Sequence, residues 1–312
     1  GLYDLNSEFY TTDAAGLLIA PPFGIGSELA ATGPNGPSIF PTTALAVRLR
    51  VTPSDTSYVQ AAVLNARAGV IGDPGGVDTE FGHGALLAAE AGWTGRGKVA
   101  LGGWRYTQDQ DDILDIDAAG DPVRRVAAGA YLLVDQPLNG AQGDLRAVAG
   151  FLRLGGSDGD TTPFKGGGQV GLLMTQVLAG RPDSALSFGV AYGGLSDKFR
   201  RTLAAGGVAA APSESTLELT YADKVAPRLT LQPSVQYVVH PGGDRAADPA
   251  VVAAQEPSPV KAAEVEAVTP TPTADASPVM TEVVAAALTV IKEQLQAIAK
   301  EPGHRDSLQV QE

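Results

Sequence analysis

The sequence contains no cysteine. This absence excludes disulfide frameworks, thiolate metal sites and cysteine nucleophiles. The chain also lacks any run near the roughly 20 consecutive apolar residues that a membrane-spanning helix needs. A membrane protein with this sequence therefore has to be a β-barrel. No signal peptide is recognisable, and because residues 1–4 already read as a strand we expect a processed or truncated chain.

Basic residues are scarce as well. The chain has 22 lysines and arginines against 35 acidic residues, which gives a formal net charge of −13. This balance argues against a nucleic-acid partner, because phosphate backbones are met by concentrated Lys and Arg. We find no phosphate-binding glycine loop, no catalytic triad and no pair of histidines at metal-ligand spacing. We therefore expect no enzyme activity, no cofactor and no bound metal.

Glycine and proline are abundant, with 38 and 22 among 312 residues, which suits many short strands joined by turns. The clearest strand begins at Ala44. Arg48 and Arg50 occupy one face of it, and the other face carries Leu45, Val47, Leu49 and Val51. This pattern fits a half-buried strand of a soluble sheet, and equally a barrel strand whose arginines point into a wet lumen.

Similar alternation recurs along the chain in about eleven predicted strands. They are Tyr3–Phe9, Ala44–Val51, Tyr58–Val63, Ala85–Trp93, Lys98–Tyr106, Arg125–Asp135, Ala147–Leu154, Gly171–Val177, Leu186–Tyr192, Thr216–Tyr221 and Leu231–Val239. Short turns on one side and longer loops on the other favour an all-β fold, an antiparallel up-and-down transmembrane β-barrel, over a soluble sandwich. The faces of Lys98–Tyr106 are left open, because a bulge at Gly102-Gly103 is one alternative and both parities hold an aromatic or basic residue.

Two irregular regions leave alternatives open. The long connection 11–41 either folds into the barrel and narrows it or forms a surface loop. The acidic stretch 109–117, together with Asp158 and Asp160, reads as solvated loops, with calcium binding as the alternative because that ion prefers carboxylate oxygens.

The character of the chain changes near residue 250, where we place the end of the β-barrel. Val251–Ala254 begins a strand, but Pro257 and Pro259 end it short of the roughly nine to eleven residues needed to cross a membrane. We predict an acidic Pro/Thr/Ala-rich linker over 251–278, an amphipathic helix over 279–301 and a tail over 302–312. Whether that helix pairs with itself or docks on a partner is left open.

Several motifs of residues 1 to about 250 resemble the OprB-type carbohydrate-selective porins of bacterial outer membranes. In family order they are Gly1-Leu2-Tyr3-Asp4-Leu5-Asn6-Ser7-Glu8-Phe9, Gly24-Ile25-Gly26, Gly36-Pro37-Ser38-Ile39-Phe40-Pro41, Ala100-Leu101-Gly102-Gly103-Trp104, Asp135-Gln136-Pro137-Leu138, Gly180-Arg181-Pro182-Asp183, Gly189-Val190-Ala191-Tyr192, Leu217-Glu218-Leu219-Thr220-Tyr221, Leu231-Gln232-Pro233, Gln236-Tyr237 and His240-Pro241-Gly242-Gly243-Asp244. The resemblance implies a sixteen-stranded barrel that lets glucose and other small sugars diffuse across the outer membrane. The family has further strands before the first residue and a closing strand after the last.

A sugar pore needs hydrogen-bond donors and acceptors, and binding weak enough to permit exit. Arginine offers five fixed donors, so we expect Arg48, Arg50 and Arg153 to line a constriction. Acceptors and balancing charge would come from Asp4, Asn6, Glu8, Gln60, Glu90, Glu218, Gln232 and Gln236. The alternative is that these side chains merely solvate a wide lumen or form an internal salt-bridge ladder.

The expected partners are small sugars and outer-membrane lipid, and the sequence leaves the oligomeric state open. Two other interpretations are a non-transporting β-rich envelope or adhesive protein, and a truncated porin without function.

Overall fold

The chain is described here by a computed structural model that covers residues 1–73, 75–140 and 144–258, the last five by their backbone alone. Its strands are β1 (Leu2–Tyr3), β2 (Ala44–Ser54), β3 (Ser57–Asn65), β4 (Ala85–Trp93), β5 (Lys98–Tyr106), β6 (Gln110–Ile116), β7 (Pro122–Arg125), β8 (Ala128–Asn139), β9 (Val148–Ser157), β10 (Phe164–Thr175), β11 (Ala185–Leu195), β12 (Ser213–Ala226), β13 (Leu229–Val239) and β14 (Ala250–Ser258). Short helices are α1 (Pro21–Gly24), α2 (Ser27–Ala30) and α3 (Asp197–Ala205), with 3-10 turns at Leu5–Ser7, Asp13–Ala15 and Pro241–Gly243.

Twelve of these strands form one antiparallel sheet in chain order, and β6 and β7 form a separate hairpin between β5 and β8. All the predicted strands from Ala44–Val51 onward are present, most of them extended by a few residues. The up-and-down antiparallel order is therefore confirmed. Within the described residues β1 and β14 are the edges of the sheet and have one partner strand each.

One face of the sheet is apolar and exposed. Val47 and Leu49 of β2 are 77% and 67% exposed, as their alternation predicted. Strands across the whole sheet contribute to this face with Val59, Val63, Leu87, Val99, Leu101, Leu154, Val170, Leu172, Phe188 and Tyr237. Such a continuous apolar surface is expected where a barrel meets lipid. No helix of the described part of the chain is long and apolar enough to cross a membrane.

The bulge left open at Gly102-Gly103 does not form, and the strand is regular there. Gly102 pairs in regular register with Glu90 on one side and Tyr131 on the other. A Cβ atom at Gly102 would lie 2.1 Å from Cζ of Tyr131. The glycine is therefore required by the ring that lies across it and not by a break in the ladder.

The first predicted strand, Tyr3–Phe9, is also wrong beyond its first residue. Only Leu2–Tyr3 pairs with β2, and a 3-10 turn follows at Leu5–Ser7. The side chain of Asp4 caps this turn by accepting a hydrogen bond from the Asn6 N–H at 2.9 Å. Aspartate readily makes such local bonds to the backbone, and here they outcompete the strand that the alternation suggested.

The strand that we expected to end at Ala254 continues to Ser258. It is nine residues long and pairs with β13 from Val238–Ala250 to Thr230–Ser258. Proline is tolerated because β14 has a partner on one side only among the described strands. The linker therefore does not begin at residue 251. Its remainder from residue 259, the helix over 279–301 and the tail over 302–312 lie outside the described residues.

The acidic stretch 109–117 forms β6 and the start of the turn in the β6–β7 hairpin. An ion-pair cluster links this hairpin to α3 and to Asp160. The ammonium of Lys198 on α3 contacts carboxylates of Asp112, Asp115 and Asp160, the last two at 2.8 and 2.9 Å. Arg125 reaches Asp112 at 2.9 Å. In the described part of the chain no group of three or more acidic or histidine side chains is arranged to hold a metal ion. These carboxylates are neutralised by cations of the chain itself.

Asp112 is the centre of this cluster. Its burial by itself would raise its pKa, but hydrogen bonds from the Asp115 N–H, the Lys198 ammonium and the Arg125 guanidinium hold the pKa well below its usual range. A carboxyl group with a lowered pKa in the folded state stabilises that state above its ordinary pKa of about 3.9, and the contribution is lost as the pH falls through the folded-state value. The loop cluster therefore persists in mild acid.

We predict that Lys198→Gln raises the pKa of Asp112, because one of the donors to its carboxylate is lost. The measurement is a carbon-13 carboxyl NMR titration of the full chain in detergent micelles. Lys165→Gln is the control, since Lys165 pairs with the exposed Asp197 at 3.7 Å and is not paired with Asp112 among the described residues. An Asp112 pKa that is equal in Lys198→Gln and in the parent chain would contradict the role given to Lys198.

A second prediction concerns the apolar face. Leu101 lies in the middle of β5 and is 65% exposed. A charge at mid-membrane on a lipid-facing position costs about 2–4 kcal/mol, falling to about 0–1 near the interface. We expect Leu101→Arg to lose about 2–4 kcal/mol of unfolding free energy and Leu138→Arg, near the end of β8, to lose less than half of that. Urea titration in lipid vesicles, followed by tryptophan fluorescence, measures both; equal losses would argue against lipid contact.

Candidate pore constriction

The connection 10–41, here called the inward segment, folds against the inner face of the sheet. Of the two alternatives left by the sequence, the structure adopts the inward one. Tyr10 and Leu29 are buried in one apolar cluster with wall residues Tyr58, Trp104, Tyr106, Tyr131 and Leu133. Leu18 and Phe23 are buried in a second cluster with Phe151 and Ala191. The segment is thus packed in two places before any polar contact is considered.

Glycines of the wall make room for the segment. Gly155, Gly167 and Gly193 face one another across β9, β10 and β11. A Cβ atom at Gly155 would lie 1.8 Å from Oε1 of Glu28 on α2. At Gly189 it would lie 2.6 Å from both the Leu18 and the Phe23 side chains. A side chain at Gly155 or Gly189 would therefore collide with the inward segment.

Glu90 on β4 is a buried acceptor of the site and is 2% exposed. Its carboxylate accepts hydrogen bonds from the backbone N–H of Tyr10 at 3.1 Å and from the hydroxyls of Tyr58 and Tyr131 at 2.6 and 2.9 Å. Gln60 donates a fourth bond at 3.2 Å. These donors occupy both oxygens, so Glu90 positions the segment and does not face open lumen.

Asp135 and Glu218 repeat this arrangement further along the segment. Asp135 accepts from the N–H of Ala14 at 2.9 Å. The two oxygens of Glu218 accept from the N–H groups of Ile19 and Ala20 at 2.8 and 2.7 Å. Three wall carboxylates therefore bind main-chain N–H groups in the first half of the segment, at residues 10, 14 and 19–20.

Carbonyl groups of the segment are met by donors from the wall. Arg153, which is 2% exposed, donates to the carbonyl of Phe23 at 2.6 Å and to that of Gly24 at 3.2 Å. It also donates to the hydroxyl of Thr12 at 3.0 and 2.8 Å. Gln232 donates to the carbonyl of Leu17 at 3.0 Å. Both side chains are used in holding the segment.

Arg48 and Arg50 remain at the edge of the segment with accessible surface. Arg48 forms an ion pair with Glu8, and both side chains are partly exposed. Arg50 is exposed, donates to Gln60 at 3.2 Å, and places its guanidinium carbon 4.2 Å from the centroid of the Tyr58 ring. Because Arg50 has five donor hydrogens, most of them stay free for a solute.

The other predicted site residues have local roles or lie elsewhere. Asp4 caps the first turn, and Asn6 donates to the carbonyl of Gly24 at 3.0 Å. Gln236 is half-buried on β13, directly opposite Glu218 on β12. The structure thus brings Glu8, Arg48, Arg50, Gln60 and Glu90 into one region, on or beside β2, β3 and β4. The other predicted residues Glu218, Gln232 and Gln236 lie on β12 and β13, which are separated from these strands by β5 and β8 to β11 in the sheet.

Several functional residues were missed. Tyr10, Tyr58, Tyr131 and Asp135 contribute as much to the site as any predicted residue. For Tyr58 a signal was present, because it shares the parity of Gln60 and therefore the same face of β3. Tyr131 and Asp135 share a parity on β8 in the same way. No pattern in the sequence marks Tyr10, which lies in irregular chain.

An up-and-down sheet with an apolar outer face and a segment folded onto its inner face defines an outer-membrane β-barrel channel. The family model described as "Carbohydrate-selective porin, OprB family" matches residues 1–255. The chain belongs to this family. It is accordingly a channel protein of the Gram-negative outer membrane that conducts carbohydrate, and not an enzyme.

A solved structure supports this fold. The high-pH structure of Pseudomonas putida OprB superposes with a TM-score of 0.70 at 21% sequence identity, covering 82% of this chain and 67% of that one. The low-pH structure of the same protein gives a TM-score of 0.41 at 20% identity, covering 63% of this chain and 51% of that one. The outer membrane channel DcaP of Acinetobacter baumannii gives 0.43 at 13% identity, covering 63% and 56%. A search of curated proteins gave no match.

The anchoring scheme predicts that Glu218→Ala loosens the inward segment. It removes the acceptor of two backbone N–H groups, and each hydrogen bond to a charged group is worth about 1.5–3 kcal/mol. Two such bonds amount to about 3–6 kcal/mol, so we expect chymotrypsin to cleave at Phe23 at least about 100-fold faster, as measured by mass spectrometry of the chain in detergent. The control is Gln236→Ala, on the neighbouring strand with no hydrogen bond to the segment among the described residues. Equal cleavage rates in the two variants would refute the anchoring role.

Proposed function

We propose that the chain lets glucose and other small sugars diffuse passively across the outer membrane through a pore narrowed by the inward segment. The observation that carries this proposal is the edge of the segment, where Arg48, Arg50 and Glu8 keep accessible polar groups beside the ring of Tyr58. The outward apolar face would contact outer-membrane lipid.

Arg50 is the best-placed residue for sugar contact. Its guanidinium is fixed over Tyr58 and held by one hydrogen bond to Gln60, so its plane is oriented without using most of its donors. Sugar hydroxyls accept from such donors, and they donate to carboxylates such as that of Glu8. In an open lumen each new bond replaces one with water and gains little, which suits a pore that must release its solute.

The remaining candidates are proposed to act indirectly. Arg153, Glu90, Glu218, Gln60 and Gln232 use their polar atoms on the inward segment or on each other. In this proposal they set the width of the constriction by holding the segment in place. Asp4 and Asn6 shape its entry turn, and Gln236 stays a pore-lining residue on the far wall.

The experiment is single-channel recording of the purified full chain in planar bilayers, titrated with glucose, maltose and succinate. Discrete current steps that are blocked by glucose and maltose but not by succinate support the proposal. Conductance without any sugar block supports a general pore instead. An absence of conductance supports a non-transporting role for the chain.

We predict that Arg50→Gln weakens glucose block of the current. Loss of one or two hydrogen bonds of about 0.5–1.5 kcal/mol net corresponds to about 2- to 10-fold weaker apparent affinity. Arg105→Gln is the matched control, because Arg105 lies on the outward face of β5. Titrating the current of both variants with glucose measures the effect; the same apparent affinity in Arg50→Gln as in the control would remove Arg50 from the pore contact.

A further inference from the structure

A cavity lies at the short-turn end of the sheet, and the ammonium of its lining residue Lys98 lies 5.9 Å from the centroid of the Tyr58 ring that Arg50 also covers. The cavity has a volume of about 680 Å³. The 3-10 turn Asp13–Ala15 of the inward segment borders it on one side, and the β4–β5 turn at residues 94–97 borders it on another. The ends of β8, β9 and β10 complete its wall. Its size falls within the range of small-molecule sites, about 300–1,000 Å³.

We infer that this cavity is a binding site for a neutral monosaccharide at the exit of the pore. Short turns of outer-membrane barrels face the periplasm, so a sugar moving inward would reach this cavity after the constriction. The inference rests on the proposed function, because it gives that pore a second sugar contact in series with Arg50.

The polar groups of the cavity match the needs of a polyol. Arg96 and the side-chain amide of Asn139 supply donors, and the carboxylates of Asp13 and Asp135 supply acceptors. Asp135 accepts from the N–H of Ala14 at 2.9 Å and is also hydrogen-bonded by the backbone of Asp13, and a carboxylate with about four lone-pair sites keeps acceptor capacity for a solute. Within the described residues, no hydrogen bond is made by the side chains of Arg96, Asn139 and Asp13, which are exposed to the cavity.

Charge balance favours a neutral ligand over an anion. Arg96 and Lys98 bring two positive charges, and Asp13 and Asp135 bring two negative ones. Lys98 is turned toward the segment, where its ammonium donates to the carbonyl and hydroxyl of Thr11 at 2.8 and 3.1 Å. The cation left for a solute is Arg96, and it faces two carboxylates. A dicarboxylate such as succinate would be repelled by them.

The apolar lining of the cavity comes from aliphatic side chains. Ala14, Pro137, Val148 and Leu173 line it, and no aromatic ring is among the lining residues. A sugar can lay its C–H groups on this surface, but it finds no ring to stack on. Weak binding follows, which agrees with a site that a solute must leave.

The test uses the absence of cysteine, because a single introduced thiol is then the one labelling position of the chain. Thr94→Cys places a thiol in the cavity wall. The rate of its modification by a charged methanethiosulfonate reagent is measured for the full chain in detergent, with and without glucose. We expect saturating glucose to slow the reaction at least threefold, and succinate of equal osmolality to leave it unchanged.

Arg228→Cys is the matched labelling control, since Arg228 is exposed in another short turn, between β12 and β13, and does not line the cavity. Its labelling rate should not respond to glucose. Arg96→Gln in the Thr94→Cys background should abolish the protection, whereas Arg228→Gln in that background should retain it. Both substitutions remove an exposed turn arginine, so a general effect on folding would affect them alike.

The outcomes separate this site from the pore function. Glucose block of the current without protection of Thr94→Cys overturns the exit site and leaves the proposed function standing. Protection without sugar block supports the site and overturns sugar passage. Protection that survives Arg96→Gln overturns the residue assignment, and the absence of both effects overturns both proposals.

Discussion

The structure depends on three carboxylates of the inner wall that accept hydrogen bonds from the backbone of an irregular segment. Glu90, Asp135 and Glu218 stand on different strands and bind N–H groups between residues 10 and 20. A segment without its own ladder cannot be buried unless its backbone groups find partners. Charged acceptors on the wall meet that requirement, and they bind more strongly than neutral ones. Glu90 and Glu218, which were predicted to line the pore, therefore hold the inward segment in place.

The shape of the inner wall follows from the same requirement. Glycines at 155, 167 and 189 leave space for the segment, and Gly102 leaves space for the ring of Tyr131 on its way to Glu90. The Tyr131 ring lies across Gly102 of the adjacent strand, and its hydroxyl donates to Glu90. Without this bond the buried carboxylate would have fewer hydrogen-bond partners. A side chain at Gly155 or Gly189 would collide with the segment, and one at Gly102 would collide with the ring of Tyr131.

The two proposed sugar contacts are joined by the inward segment itself. Lys98 holds Thr11 and lies 3.7 Å from Glu90 on the side of the constriction, and it also lines the cavity at the short-turn end. The same stretch of chain thereby borders both sites. Both combine a donor-rich arginine with nearby carboxylates and keep most donors free, which favours neutral polyols over anions and permits rapid exchange. The ion pairs around Asp112 lie on separate loops and neutralise the acidic stretch there.

The sequence by itself determined the strands β2 to β5 and β8 to β13, the apolar face and the family. A period of two is a local property that each of these strands displays independently. It also identified Arg48, Glu90 and Glu218 as inward-facing. Only the tertiary structure decided that Glu90 and Arg153 are buried in contacts with the segment, that Asp4 caps a turn, and that β14 extends past Ala254. The partners of Glu90, Asp135 and Glu218 are 80, 121 and 199 residues away in the sequence. Alternation gives the side of a strand on which a carboxylate lies, but an irregular segment has no period from which its register against that wall can be read.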